Sequence, residues 1–263
     1  MVSAATIVAM GFTLIVCLFL PVALPAFLCV SKKIHWKPVL TGLSVFSATQ
    51  VLFRMPLLSL FGSTSLYERL AQSPWLLGIL LVLSSALLEN WGRYAGMRLF
   101  ARDCISYRDG LAYGLGHGGV EALVLMGMTS LNNLYIALAV NNGKFAEMTA
   151  AADPEQAQAV LDVLTETPSV EFFMAGAERL MVVIIQIALS LLVFVALQSG
   201  RRRWVWYAVC AQCVVNYPIY LMQNGSMWVA EGYIALCTVL SIVFIFTSRK
   251  RFFTPKNEDA PAK

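Results

Sequence analysis

Two glutamates, a histidine and two carboxamides lie inside otherwise apolar stretches of this 263-residue chain; they are Glu89, His117, Glu121, Gln212 and Asn216. A carboxylate can activate water, an imidazole can orient that water or take a proton, and an amide N–H can stabilise an oxyanion. The alternative is that these side chains only form hydrogen bonds between helices. Their combination of types favours a hydrolytic site.

The composition identifies the environment of these residues. The chain is 59% hydrophobic and 13% charged, whereas soluble domains average about 25% charged residues. This excludes a soluble globular enzyme, a disordered chain and a nucleic-acid binder, and it leaves a polytopic membrane protein. A charge at the bilayer centre costs at least about 2.5–3.5 kcal/mol. The few charged residues inside the membrane are therefore expected to be functional.

Seven apolar stretches are long enough to cross a bilayer as helices, because a span needs about 20 residues. They cover residues 5–30, 38–62, 74–100, 109–131 (with a continuation to 140), 171–197, 204–222 and 227–247. The short alternating segments of a membrane barrel are absent. We predict an all-α, seven-helix membrane bundle in one domain, residues 1–248, with an outside loop at about 141–170 and a basic cytoplasmic tail, residues 249–263.

Basic residues indicate the orientation, because Lys and Arg concentrate in cytoplasmic loops. Fourteen of the 19 basic residues lie on alternate connections and in the tail, including Arg98, Arg102 and the run Arg201–Arg203. The remaining connections hold only Arg69 and Lys144 as basic residues. This pattern predicts an N-terminus outside and a C-terminus in the cytoplasm.

The intramembrane polar residues share one depth. With a rise of 1.5 Å per residue, Glu89, His117 and Gln212 lie about 12–16 Å from the cytoplasmic ends of their helices, and Glu121 and Asn216 about 18 Å. Each helix contributes a pair four residues apart, which places both members on one face. The pairs are Glu89 with Arg93, His117 with Glu121, and Gln212 with Asn216.

Glycines surround the histidine in the segment from Gly114 to Gly119. Glycine is unfavourable inside a helix by up to about 1 kcal/mol relative to alanine. We assign Gly116, Gly118 and Gly119 a supporting role. They either let helices approach closely or leave room for a substrate backbone or a water beside His117.

These motifs together resemble the YhfC family of bacterial intramembrane proteases. The resemblance lies in Glu89-Asn-Trp-Gly-Arg-Tyr94, Gly114-Leu-Gly-His-Gly-Gly-Val-Glu121, Glu178-Arg179 with Ser190, and Gln212-Cys-Val-Val-Asn216. It covers the chain from the second span to the seventh. The family is similar to the wider group of CAAX prenyl proteases, bacteriocin-processing proteins and PrsW.

The resemblance implies a glutamate-dependent peptidase of the bacterial cytoplasmic (inner) membrane that cuts a peptide bond in or near the cytoplasmic half of the bilayer. Glu89 would activate the water and His117 would share it. Gln212 and Asn216 would hold the water and stabilise the oxyanion, and Arg93 would orient Glu89. The expected partners are membrane lipid and a peptide or membrane-protein substrate, with no nucleic acid.

Two departures from the family pattern leave alternatives open. Asn90 replaces a second glutamate, and Gln212 replaces a histidine that could accept a proton. A non-catalytic, immunity-like or chaperone-like binder is one alternative, and a small-solute transporter is another, although no inverted repeat supports it. Catalytic zinc usually has three protein ligands and the layer has one histidine, so we expect no metal cofactor. A zinc site at Glu89, His117 and Glu121 is the less favoured alternative.

Overall fold

The computed structural model describes residues 1–222 and 225–253. Among these residues, seven helices are long and apolar enough to cross a membrane: Ala4–Val30, Trp36–Gly62, Pro74–Phe100, Tyr107–Asn141, Ser169–Ser199, Arg203–Met222 and Met227–Phe252. They are called the first to seventh spans below. The predicted all-α class and the seven spans are confirmed. The orientation of the termini stays a prediction.

The ends of the spans follow local signals. The fourth span begins with a capping box in which the Ser106 side chain and the Asp109 side chain satisfy each other's backbone N–H groups. The fifth span ends at Ser199 and is followed by Gly200, whose left-handed backbone (φ 67°) stops the helix. The seventh span continues to Phe252 because cationic side chains are favourable in a last helical turn. The predicted tail thus begins within a helix, and its residues 254–263 lie outside the described part.

Short helices occupy the connections. Ser65–Ala71 lies between the second and third spans, and Phe145–Met148 and Pro154–Glu166 lie in the segment predicted as the outside loop. Asp153 caps the last of these by accepting from the N–H groups of Glu155 and Gln156.

Three spans contain a π-helical segment within their length: Phe19–Ala23, Ser47–Arg54 and Leu123–Gly127. The segment Phe19–Ala23 contains Pro21, which has no N–H to donate to the helix. The segment Leu123–Gly127, in the fourth span, begins two residues after Glu121. Such wide turns rotate the side chains that follow them and frequently occur beside functional sites.

The fifth span forms the centre of the bundle. It packs against the first, third, fourth, sixth and seventh spans, while the second packs on the fourth and the third on the sixth. It is also the most buried of the seven. Polar side chains of the third, fourth and sixth spans therefore meet around one face of the fifth.

Close packing of the fourth span accounts for its glycines. A Cβ atom on Gly116 would overlap the backbone carbonyl of Val39, and one on Gly119 would press on the backbone at Pro21. A Cβ atom on Gly118 would crowd the side chain of Gln186. The glycines thus bring the first, second and fifth spans against the fourth, with His117 enclosed between them.

Candidate functional site

The centre of the site is formed by Glu89 on the third span and by His117 and Glu121 on the fourth. One ligand atom from each of these side chains lies within 4.8 Å of the other two. Glu89 and His117 are 4% and 0% exposed, and Glu121 is half-buried. Two residues four positions apart on one helix and one on a neighbouring helix therefore meet in the interior of the bundle.

Both oxygens of Glu89 have partners. The hydroxyl of Ser85 donates to Oε1 at 2.7 Å, and Arg93 donates to Oε2 at 3.1 Å. The Nε2 atom of His117 lies 3.4 Å from the same Oε2. The imidazole is fixed by ring contacts, edge-on to Phe46 and stacked with Tyr113. Glu89 and His117 are therefore held in place rather than free to rotate.

Arg93 determines the orientation of two carboxamides in the sixth and third spans. This fully buried side chain donates from Nη1 to Oδ1 of Asn90 at 2.8 Å. Because a guanidinium only donates, the Asn90 oxygen must face it, and the Asn90 Nδ2 then donates to Oε1 of Gln212 at 2.7 Å. The Nε2 of Gln212 is left without a partner among the described residues.

A second branch of the same network leads to Glu121. Arg93 also donates to Oε1 of Gln186, on the fifth span. The Gln186 amide is thereby oriented so that its Nε2 donates to Oε2 of Glu121 at 2.5 Å. One guanidinium thus positions both carboxylates of the centre, Glu89 directly and Glu121 through Gln186.

A cavity of about 150 Å³ adjoins the centre between the fourth, fifth, sixth and seventh spans. Glu121, Gln186, Gln212 and Asn216 line it, and branched aliphatic side chains form much of its remaining wall. The ion pair of Glu178 and Arg179 lies on its boundary. The cavity is a space in which a substrate carbonyl could meet both a carboxylate and unused amide donors.

Most of the residues singled out from the sequence converge. Glu89, Arg93, His117, Glu121 and Gln212 join one cluster, and Asn216 faces the adjoining cavity. The sequence did not identify Ser85 or Gln186 as members of the cluster. It also did not identify the hydrogen bonds by which Asn90 joins Arg93 to Gln212. The sequence did offer a sign of Gln186, since it is the one carboxamide in the apolar stretch between Arg179 and Gln198.

The centre has the chemistry of a cation site. Two carboxylates face one guanidinium, so with both carboxylates ionised the cluster carries a net negative charge that a cation would offset. Two donors bound to one tetrahedral zinc at about 2.1 Å each lie about 3.4 Å apart, and Glu89 Oε2 and His117 Nε2 are separated by 3.4 Å. The surrounding donors, Ser85, Arg93 and Gln186, are partners that typically orient metal-ligating carboxylates. The residue types, and the approach of all three ligand atoms to within 4.8 Å of one another, fit a divalent cation.

Comparison with known proteins shows which family the chain is similar to. The chain matches the family described as YhfC intramembrane metalloprotease over residues 16–234. It is 35% identical over 185 residues to the uncharacterized membrane protein YhfC of Bacillus subtilis (strain 168), a match that covers 69% of this chain and 72% of that protein. No solved structure matches the chain.

The expectation of a site without a metal is wrong. It rested on the presence of a single histidine in the polar layer. The family is described as one of metalloproteases, and the structure places a Glu-His-Glu group where the ligand atoms converge. Carboxylate oxygens are metal ligands as well as histidine nitrogens, so two glutamates complete the set of three that one histidine could not supply.

Proposed function

The chain belongs to the YhfC intramembrane metalloprotease family, and from this premise we propose that it hydrolyses a peptide bond of a membrane-embedded substrate at Glu89, His117 and Glu121. The observation that carries the proposal is the approach of three ligand atoms to within 4.8 Å of one another inside the bundle. A divalent cation at such a site supplies Lewis-acid polarisation of a carbonyl and acidification of water.

Glu89 and His117 would hold the cation in this proposal. Both oxygens of Glu89 already accept hydrogen bonds, from Ser85 and Arg93, which fixes the carboxylate but leaves it poorly suited to collect a further proton. Neither Glu89 nor His117 is among the residues that line the cavity. The substrate therefore meets the centre on the side of Glu121.

In this proposal Glu121 would complete the set of ligands through one carboxylate oxygen and accept the proton through the other. Its Oε2 accepts from Gln186, so Oε1 is available for the proton of the attacking water. The water oxygen forms a bond to the substrate carbonyl carbon, the C–N bond breaks, and the proton passes from Oε1 of Glu121 to the departing nitrogen. This assignment moves the proton-accepting role from Glu89, where sequence reasoning placed it, to Glu121.

Gln212 and Asn216 stabilise the oxyanion. The side-chain oxygen of Gln212 accepts from Asn90. The Nε2 of Gln212, which has no partner among the described residues, would then be the donor toward the cavity that Gln212 lines. Asn216 lies on the same helical face one turn further along and lines the same cavity. Fixed donors directed at developing negative charge are each worth about 10²–10³ in rate.

Glu121→Gln tests this function in membranes of cells that express the protein. Mass spectrometry counts the new N-termini of membrane proteins in cells that express the wild type and in cells that express the variant. Because a positioned acid–base group contributes about 10²–10⁴ in rate, the wild-type cleavage products are expected to disappear. The matched control is Glu178→Gln, which removes a carboxylate from the cavity wall but not from the centre. Cleavage that persists in Glu121→Gln would refute the proposal.

One observation favours a second function, that of a non-catalytic binder. Gln212 cannot become cationic, and its oxygen is engaged by Asn90, so it supplies no second acid–base group at this position of the sixth span. A binder predicts that Glu121→Gln leaves the cellular phenotype intact and that wild type yields no new N-termini. The same experiment therefore separates the two functions.

A further inference from the structure

A basic cleft lies at the end of the bundle opposite the predicted outside loop, away from the site described above. Its volume is about 870 Å³, within the 300–1,000 Å³ typical of ligand pockets. The last turns of the third span, the connection that follows, and the junction between the fifth and sixth spans enclose it. We propose that this cleft binds one anionic phospholipid by its phosphate group.

Three arginines supply the charge: Arg98, Arg102 and Arg202. Of the ten described residues that line the cleft, none is acidic. Among the described residues, the ion pairs near this end join His35 to Asp109 and Lys37 to Asp103, and none includes a cleft arginine. Among the residues that the structure describes, the positive charge of the cleft therefore has no ion-pair partner.

Two of the guanidinium groups are held in position while keeping free donors. Arg98 donates from Nη1 to the Tyr94 hydroxyl at 3.2 Å and stacks over its ring, and Arg102 donates from Nε to the carbonyl of Arg98 at 3.0 Å. A guanidinium carries five N–H donors, so most of them remain for an anion. Arginine suits phosphate because its planar fork can donate two bonds at once.

The rest of the wall is apolar, which points to a lipid rather than a free phosphate. Leu99, Ile105 and Leu197 line the cleft, and Leu99 is 65% exposed. Arg98 lies in the last turn of the third span, and Arg102 and Arg202 lie in the connections just beyond the spans, where lipid head groups are expected; Leu99 lies beside them. An acyl chain can cover this apolar wall as the phosphate meets the arginines. Basic pockets between spans at this level are typical sites for anionic head groups.

Binding of phosphatidylglycerol to the purified full-length protein in detergent tests the proposal. Each arginine near an anionic head group contributes about fivefold in affinity. The triple variant Arg98→Gln, Arg102→Gln, Arg202→Gln is therefore expected to bind roughly 100-fold more weakly. The matched control removes three charges from the same end but outside the cleft: Arg201→Gln, Arg203→Gln and Arg251→Gln. It is expected to bind as wild type does.

Two further measurements keep the test decisive. If the triple variant fails to fold, Arg202→Gln alone is expected to lose about fivefold, whereas Arg201→Gln alone loses nothing. Phosphatidylcholine and inorganic phosphate serve as the other ligands and are expected to bind at least tenfold more weakly. Equal binding of phosphatidylcholine, equal binding of free phosphate, or equal losses in cleft and control variants would each overturn the proposal.

Discussion

Replacing Gln186 by leucine isolates the link between Arg93 and Glu121. Leucine has a similar volume but neither the oxygen that accepts from Arg93 nor the amide that donates to Glu121. Arg93 keeps two other acceptors, Glu89 and Asn90, whereas Glu121 loses the donor that fixes its carboxylate. The change should therefore act mainly on Glu121 and little on the rest of the cluster.

The expected effect on metal binding exceeds the effect on folding. Loss of a partner that orients a metal ligand typically weakens metal affinity by about 10–100-fold, or about 1.4–2.7 kcal/mol. Hydrogen bonds between membrane helices average about 0.6 kcal/mol each, so two lost bonds should cost about 1 kcal/mol and leave the protein folded. A folded variant with weakened metal binding is the predicted result.

The assay is competition for Zn²⁺ between the purified protein and a coloured chelator, with thermal unfolding recorded in parallel. Gln198→Leu is the control, since Gln198 lies on the same span and donates to the carbonyl of Ile105 instead of to the cluster. The reasoning is refuted if Gln186→Leu binds Zn²⁺ within twofold of wild type, or if Gln198→Leu weakens binding equally.

Three further predictions concern packing, protonation and orientation. Gly116→Ala forces a methyl group against the backbone of the second span and should lower stability by about 1–3 kcal/mol; Gly11→Ala, which meets open space, should not lower the unfolding temperature. Burial first, then nearby Asp109 and Asp103, raises the pKa of the Cys104 thiol to about 11. Its alkylation rate, followed by peptide mapping, should therefore keep rising about tenfold per pH unit from pH 9 until the pH approaches about 11, whereas a plateau near the ordinary pKa of about 8.5 would contradict this. An impermeant maleimide should label Ala151→Cys on intact cells and Arg201→Cys only after permeabilisation; the reverse would invert the predicted orientation.

The sequence was sufficient for the spans and for the main members of the cluster. Long apolar runs specify helices directly, and charges such as Glu89 and Glu121 are conspicuous inside them. Counting residues from the helix ends placed His117 and Gln212 at the same level, because the rise per residue is constant. Depth and helical face thus follow from local rules.

The hydrogen bonds that link side chains of different helices could not be predicted from the sequence in this way. Gln186 is the one carboxamide in the apolar stretch between Arg179 and Gln198, and nothing in the neighbouring sequence indicates that it joins Arg93 to Glu121. That link depends on the fifth span being the centre of the bundle, a property of the whole packing arrangement. The error about the metal has a related cause: carboxylates count as ligands only once they are known to converge on the histidine.

The most direct test of the central claim is the metal content of the purified protein, measured by elemental mass spectrometry after loading with Zn²⁺ and removal of excess. Wild type and the control Glu178→Gln should retain about one equivalent of metal, the number expected for a single site. Glu89→Gln, His117→Ala and Glu121→Gln should each retain far less while remaining folded. Retention of a full equivalent by any one of the three variants would contradict the account.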